Sequence, residues 1–312
     1  MSSTLDFDPK TLPWFDKDTF DSDLPRRVRM GQVTPREAVL LRQWRRDGFV
    51  ILRGVVEHDL IDRMLADYER AWEERPVCRL LVQGEGLIWL RTARPRSEYP
   101  HHHYRLLDFH NLSDAAASIM LHPGIARFLS ILFDDIPRAM QTLFFEYSSE
   151  QKTHQDFAYV QSGILSHLAA SWVACDDADE ENGAVYYYAG SHRIQKFDFG
   201  DNSITLHDRD FGKAVGFEQY VEAQCLERDQ EKRIVCLKKG DVLLWHSALV
   251  HGGGLARNRE KKRRSLVSHY TSSGAYPRDR RHPHVVPTSI ALNGGLYYAC
   301  EYPGHVEGVY RA

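Results

Sequence analysis

No uninterrupted apolar run in the chain approaches eighteen residues, so the sequence offers no membrane-spanning helix. Its opening, MSSTLDFDPKTLPWFDKDTF, lacks a basic stretch followed by an apolar one and does not read as a secretory signal. Cysteine is sparse. The five present (Cys78, Cys175, Cys225, Cys236 and Cys300) are scattered, and an odd number without close pairs argues for free thiols in a reducing compartment; the cytoplasm is the expected location. Charge of one sign is also lacking: a net −3 gives no general attraction to nucleic acid or to an anionic membrane. There is no internal repeat and no low-complexity tract. What remains is ordinary globular material, 43% hydrophobic and 27% charged over 312 residues, enough for one large domain or two small ones.

Residues 1–33 are polar with isolated aromatics and read as an N-terminal arm over the domain. A helix follows, with Thr34 as N-cap, Pro35 at its first position, Glu37 closing a capping box and Gly48 as its stop. The run FVIL at 49–52 reads as a short buried strand. Apolar residues at Ile61, Met64, Leu65, Tyr68 and Trp72 have helix spacing. Further helices are predicted from Ser113 to about Pro123 and from there to Leu132, with strand-like residues at 87–90 between. From 140 onward the pattern changes to short strands near 140–147, 165–175, 184–188, 234–237, 242–245, 247–251 and 265–270. The acidic segment 176–183 is a turn in which Asn182 followed by Gly183 signals a hairpin. Residues 193–231 are a charged insertion with few core positions, read as a lid within a single domain spanning 34–312. Helices first and strands after predict a mainly β core carrying a helical layer, an α+β fold.

The stretch 240–270, GDVLLWHSALVHGGGLARNREKKRRSLVSHY, organises the chemistry. It reads as two strands joined by a glycine-rich, cationic connection. His251 at a strand end is a potential nitrogen ligand, and an arginine twelve residues on returns to its neighbourhood if the strands pair. Upstream, His154 and Asp156 stand two apart, so in extended backbone an imidazole and a carboxylate share a face. Two histidines and one carboxylate with the remaining positions open form the ligand set of non-haem iron(II) oxygenases. An arginine beside it could grip a carboxylate with two charged hydrogen bonds.

Several motifs together resemble the phytanoyl-CoA dioxygenase-like iron(II)/2-oxoglutarate oxygenases over roughly residues 34–271. They are DGFVILRGVV (47–56), HQD (154–156), SWVACDDADEENGAVYYYAGSH (171–192), GDVLLWHSALVHGGG (240–254) and RRSLVSHY (263–270). The resemblance implies a double-stranded β-helix, metal ligands at His154, Asp156 and His251, and the use of iron(II), 2-oxoglutarate and O2. It implies a cosubstrate arginine on the last core strand; alternation and spacing from His269 favour Arg263, with Arg264 as the fallback. By spacing, Gln141 matches a position whose amide contacts the cosubstrate and Trp172 one that walls its pocket. Retention of Asp156, which related halogenases replace with a small residue, implies hydroxylation. Where some relatives carry serine, this chain has Gly253, so a hydroxyl contact there is missing.

Blander roles stand beside these. The basic run 257–264 has no interleaved aromatics and reads as a solvated turn rather than a nucleic-acid site. His192 reads as a turn-stabilising residue, His246 as a core or supporting residue, and His101, His102 and His103 as a loop with one member reaching substrate at most. The resulting expectation is a dioxygenase hydroxylating a small-molecule metabolite. The rivals are desaturation, epoxidation or cyclisation at the same site, or a β-helix binding protein without turnover.

Overall fold

The computed structural model describes residues 5–73, 80–84, 87–91, 104–206, 211–277 and 288–299. Short 3-10 turns at Pro9–Thr11 and Trp14–Asp16 precede helix α1 (Phe20–Arg29) and helix α2 (Pro35–Asp47). The α2 capping box is formed on both sides, and Gly48 stops the helix at φ +81, a conformation that costs glycine nothing. A Cβ there would also lie 2.6 Å from His192 Nδ1, so the position is closed to larger residues. Strand β1 (Phe49–Leu52), helix α3 (His58–Glu73), and strands β2 (Leu80–Gly84), β3 (Leu87–Arg91) and β4 (Tyr104–Leu107) follow. Helices α4 (Asp114–Met120) and α5 (Pro123–Phe133) complete the helical layer. No single helix among the described residues is long and apolar enough to cross a membrane.

The second half alternates between two sheets. Strands β5 (Pro137–Phe145), β6 (Leu168–Ala174), β9 (Val242–His246) and β11 (Ser265–Ser272) pair antiparallel in the order β9-β6-β11-β5, the centre of a ten-stranded sheet. Strands β7 (Val185–Tyr188), β8 (Lys232–Ile234) and β10 (His251–Gly253) form a three-stranded sheet in the order β10-β7-β8. The chain crosses from one sheet to the other after β6, β8, β9 and β10, which makes a double-stranded β-helix. The hairpin of β12 (Thr288–Leu292) and β13 (Gly295–Ala299) adds to β5 in parallel through Leu296 and Tyr297.

Alternation sorts each major strand. Phe144, Val173, Leu244 and Leu266 face outward into the main core, against Trp44, Ile61 and Leu129 of the helices. Leu143, Trp172, Leu243 and Val267 face inward and line the barrel with Tyr187 of the minor sheet.

Four expectations change. The segment read as an arm contains α1, and Trp14, Phe15, Phe20 and Leu24 enter the main core; Trp14 Nε1 donates to Ile131 O at 2.7 Å. Its polar residues sit on the solvent side of a helix too short to announce its period. The insertion 193–231 carries helix α6 (Phe211–Glu227), whose Phe217, Val221 and Cys225 pack on Tyr186 and Tyr188 behind the minor sheet. Residues 247–250 are a turn rather than a strand, closed by Leu249 N donating to His246 O at 2.8 Å, and the strand begins at His251. The strand near 234–237 lies earlier, at Lys232–Ile234. His101, His102, His103, Cys78 and Cys300 lie outside the described residues.

Candidate active site

His154 and His251 meet through their backbones before their side chains do. The two residues form an antiparallel bridge in which each N–H donates to the other's carbonyl, at 2.9 and 3.0 Å. Their rings therefore emerge together, with centroids 4.3 Å apart. The next residues are tied to the distal loop as well: Gln155 Nε2 donates to Ala248 O at 2.5 Å, and Phe157 N to Ser247 O at 3.3 Å. Asp156 opens a 3-10 turn, Asp156–Ala158, which directs its carboxylate back toward the rings.

Each ring has its Nδ1 against the carbonyl two residues earlier, Lys152 O at 2.7 Å for His154 and Leu249 O at 3.0 Å for His251. Those bonds place a proton on Nδ1 and leave Nε2 as the ligating nitrogen. The two Nε2 atoms lie 3.5 and 3.6 Å from Asp156 Oδ1. The three ligand atoms fall within 4.8 Å of one another, and all three residues are buried. Burial pushes the His251 imidazole down to about 4, with Asp156 pulling partly the other way, so His251 is neutral at physiological pH. Burial opposes ionisation of Asp156, but His251, His154 and His269 outweigh it and hold the carboxyl well below its usual range. His154 Nε2 accepts from the Gln151 amide at 3.2 Å, a contact that must yield when the nitrogen binds a metal.

The three glycines after His251 serve close approach of the chain to itself. A Cβ on Gly252 would collide with the Tyr186 hydroxyl, and one on Gly253 would lie 2.6 Å from Ser149 Oγ and 2.9 Å from Gln151 N. One on Gly254 would collide with the Ala184 carbonyl.

The two adjacent arginines part company. Arg264 lies outside the barrel in a bidentate pair with Asp176, at 2.8 and 2.7 Å. Arg263 is 2% exposed, and burial alone lowers its guanidinium to about 10. It stacks over Trp172 at 5.3 Å and donates to two backbone carbonyls, Gly183 O at 3.0 Å and Tyr147 O at 3.4 Å. Among the described residues its Nε has no acceptor, and neither Trp172 Nε1 nor Ser265 Oγ has a partner. Among the described residues no carboxylate reaches Arg263.

The sequence profile of the phytanoyl-CoA dioxygenase (PhyH) family matches residues 44–265. The chain belongs to the phytanoyl-CoA dioxygenase family. Rat peroxisomal phytanoyl-CoA dioxygenase is 24% identical over 239 residues, covering 73% of this chain and 66% of that enzyme, just under two thirds of its length. The human enzyme is 22% identical over 242 residues, covering 74% and 67%. The epimerase SnoN from nogalamycin biosynthesis, solved with Fe3+, alpha ketoglutarate and nogalamycin RO, superposes with a TM-score of 0.55. The match covers 76% of this chain and 84% of that one at 21% identity. EctD from S. alaskensis, solved with 2-oxoglutarate and 5-hydroxyectoine, gives a TM-score of 0.55, covering 78% and 77% at 15% identity. These structures share the double-stranded β-helix.

Phytanoyl-CoA dioxygenase family members are non-haem iron, 2-oxoglutarate-dependent oxygenases. The donor set present, two imidazole nitrogens and one carboxylate oxygen, fits iron(II). The unsatisfied donors of Arg263, Trp172 and Ser265 fit a ligand carboxylate, because a buried donor left unpaired is costly unless something arrives to accept from it.

Trp245, His269, Arg105 and Tyr159, to which the sequence had given no role at this centre, stand around it. Trp245 Nε1 donates to Asp156 Oδ2 at 2.7 Å, and His269 Nε2 lies 3.5 Å from the same oxygen. Gln141 donates to His269 Nδ1 at 3.1 Å. Alternation along β9 and β11 could have placed Trp245 and His269 inside, since both precede outward-facing residues. Arg105 on β4 lies over Phe145 at 5.9 Å; burial lowers its guanidinium to about 10, with Asp156 acting the other way. Only the long-range pairing of β4 with β5 brings it here. Tyr159 packs edge-on to His154 at 6.1 Å and to Phe217 of α6 at 6.0 Å, so the insertion borders the metal site.

His246 points away from this centre. It sits 3.1 Å from Asp16 and accepts from Ala248 N at 2.9 Å, bracing the turn that precedes His251. With His192, Arg45 and Lys196 it lines a separate cavity of about 270 Å³ beneath the N-terminal segment. His192 packs under Gly48 and contacts Arg45 O at 3.3 Å. Apart from Arg263, the cations of the run 257–264 pair with acids, including Arg259 with Glu150 at 3.2 Å and Lys261 with Asp179 at 2.7 Å.

Proposed function

We propose that the protein uses iron(II), 2-oxoglutarate and O2 to hydroxylate an unactivated C–H bond of a small molecule, releasing succinate and CO2. The observation that carries this reading is the pairing of a three-ligand centre with a buried Arg263, which no carboxylate among the described residues reaches, in one barrel. His154, His251 and Asp156 would hold the metal and leave three adjacent positions. Arg263 would grip the far carboxylate of 2-oxoglutarate, with Ser265 and Trp172 completing the cradle and Leu143 and Val267 walling it. Charge-assisted bonds in this dry setting are about twice as strong as neutral ones. Gln141, opposite His269, and Arg105, over Phe145, add further polar groups to the barrel interior. When bound, iron and 2-oxoglutarate supply the oxidising power; the chain orients the substrate carbon and excludes water. Retention of Asp156 supports hydroxylation over halogenation. The free, buried Cys175 and Cys225 are in keeping with a reducing compartment such as the cytoplasm.

The test is an anaerobic titration with iron(II) and 2-oxoglutarate, which should produce a weak visible charge-transfer band. Its absence removes every enzymatic reading together. Screening small molecules for stimulated succinate release then finds the substrate. The product's mass separates hydroxylation, a gain of one oxygen, from desaturation, a loss of two hydrogens.

A further inference from the structure

A carboxylate ligand can bind a metal through one oxygen or through both, and here the difference matters. If Asp156 chelated, it would consume one of the three positions that 2-oxoglutarate and O2 require. The structure treats its two oxygens differently. Oδ1 faces the ligating nitrogens of His154 and His251 at 3.5 and 3.6 Å. Oδ2 faces away, toward the major sheet, where it accepts the Trp245 indole N–H at 2.7 Å and lies 3.5 Å from His269 Nε2. His269 in turn accepts the Gln141 amide N–H on Nδ1 at 3.1 Å, which leaves its proton on Nε2, directed at Asp156.

The supporting groups come from a single cross-strand row. Trp245 pairs with Ala170, Ala170 with His269, and His269 with Gln141. All stand on the inner face of the sheet. Ala170 in the middle of the row has only a methyl group, which leaves room for the Asp156 carboxylate to lie between the indole and the imidazole. Polar side chains on an inner barrel row are expensive unless they satisfy one another, and these do.

We propose that His269, oriented by Gln141 and acting with Trp245, is a positioning residue that occupies Oδ2 of Asp156 and so keeps this ligand monodentate. This inference rests on the metal reading above. Outer partners of metal ligands commonly change affinity by about 10–100-fold when removed.

The experiment compares wild type with His269→Leu, which keeps bulk but removes the donor, and His269→Gln, which keeps an N–H. Anaerobic iron(II) affinity is measured by calorimetry. Nitric oxide binding to the iron(II)–2-oxoglutarate complex, read by electron paramagnetic resonance, reports whether a position remains free. His269→Leu should weaken iron binding by about tenfold or more and diminish the nitrosyl signal, and His269→Gln should recover both toward wild type. Should His269→Leu fail to fold, Trp245→Phe removes the other donor and is expected to act in the same direction. If wild type binds iron and the folded donor-free variant matches it in both readouts, the positioning role is wrong while the metal site stands. If wild type binds no iron, both fall.

Discussion

The two faces of the major sheet are built from alternate residues of the same strands, yet they behave as different materials. On the outer face, Phe144, Val173, Leu244 and Leu266 are almost fully buried beneath α2–α5 and carry no polar groups beyond the backbone. On the inner face, Gln141, Trp245, His269 and Arg263 are just as enclosed or nearly so, but polar. The outer face can lower the free energy of folding by roughly 1.5–3 kcal/mol for each large side chain it buries. The inner face gives up part of that gain to hold donors and charges in fixed positions. One strand thus serves stability and chemistry with a two-residue period, and substitutions one residue apart should have separable effects.

The sharpest test of that division is Asp156→Ala. It removes one of the three proposed ligands, so iron(II) affinity should fall by more than the about 10–100-fold typical of outer-shell changes, while the fold is retained; calorimetry and thermal melting measure the two. On the opposite face, Leu266→Ala should lower stability by about 2–4 kcal/mol in denaturant unfolding and leave iron affinity unchanged. An equal loss of metal binding in that variant would erase the distinction between faces.

Next in size, Arg263→Met should raise the 2-oxoglutarate requirement by roughly 100-fold, read in succinate assays, since the two charge-assisted bonds proposed for it would be lost. Its stability should hold or rise, because an incompletely paired buried cation is removed. The neighbouring Arg264→Ala should do the reverse, costing about 1 kcal/mol of stability with no change toward 2-oxoglutarate.

The smallest effect concerns pH. Burial opposes ionisation of Asp176, but the Arg264 guanidinium and backbone N–H outweigh it and lower the carboxyl. A carboxyl lowered by folding contributes stability above its unfolded value, near 4, and loses it as pH falls through the folded one. The stability gap between wild type and Arg264→Ala should therefore be present at neutral pH and close as the solution is acidified below about pH 4.

Much of this was legible without coordinates, for local reasons. The α2 capping box, the Gly48 stop and the α3 spacing are written within one or two turns of chain. The spacing of His154 and Asp156, and the alternation that separates Arg263 from Arg264, are equally short-range. The N-terminal helix and α6 were not legible, because a helix with a charged outer side and few apolar positions acquires its meaning from the surface it covers.

By itself, the sequence determined which residue types were on offer and which neighbours in the chain share a face, since backbone periodicity settles that within a few residues. Only the tertiary structure decided that His154 and His251 would share a backbone bridge and that three glycines would be needed for the chain to pass itself. The same holds for Trp245 and His269 closing on one oxygen of Asp156, with Gln141 behind His269. Those outcomes depend on strand register between segments about a hundred residues apart, and register is fixed by packing rather than by local pattern.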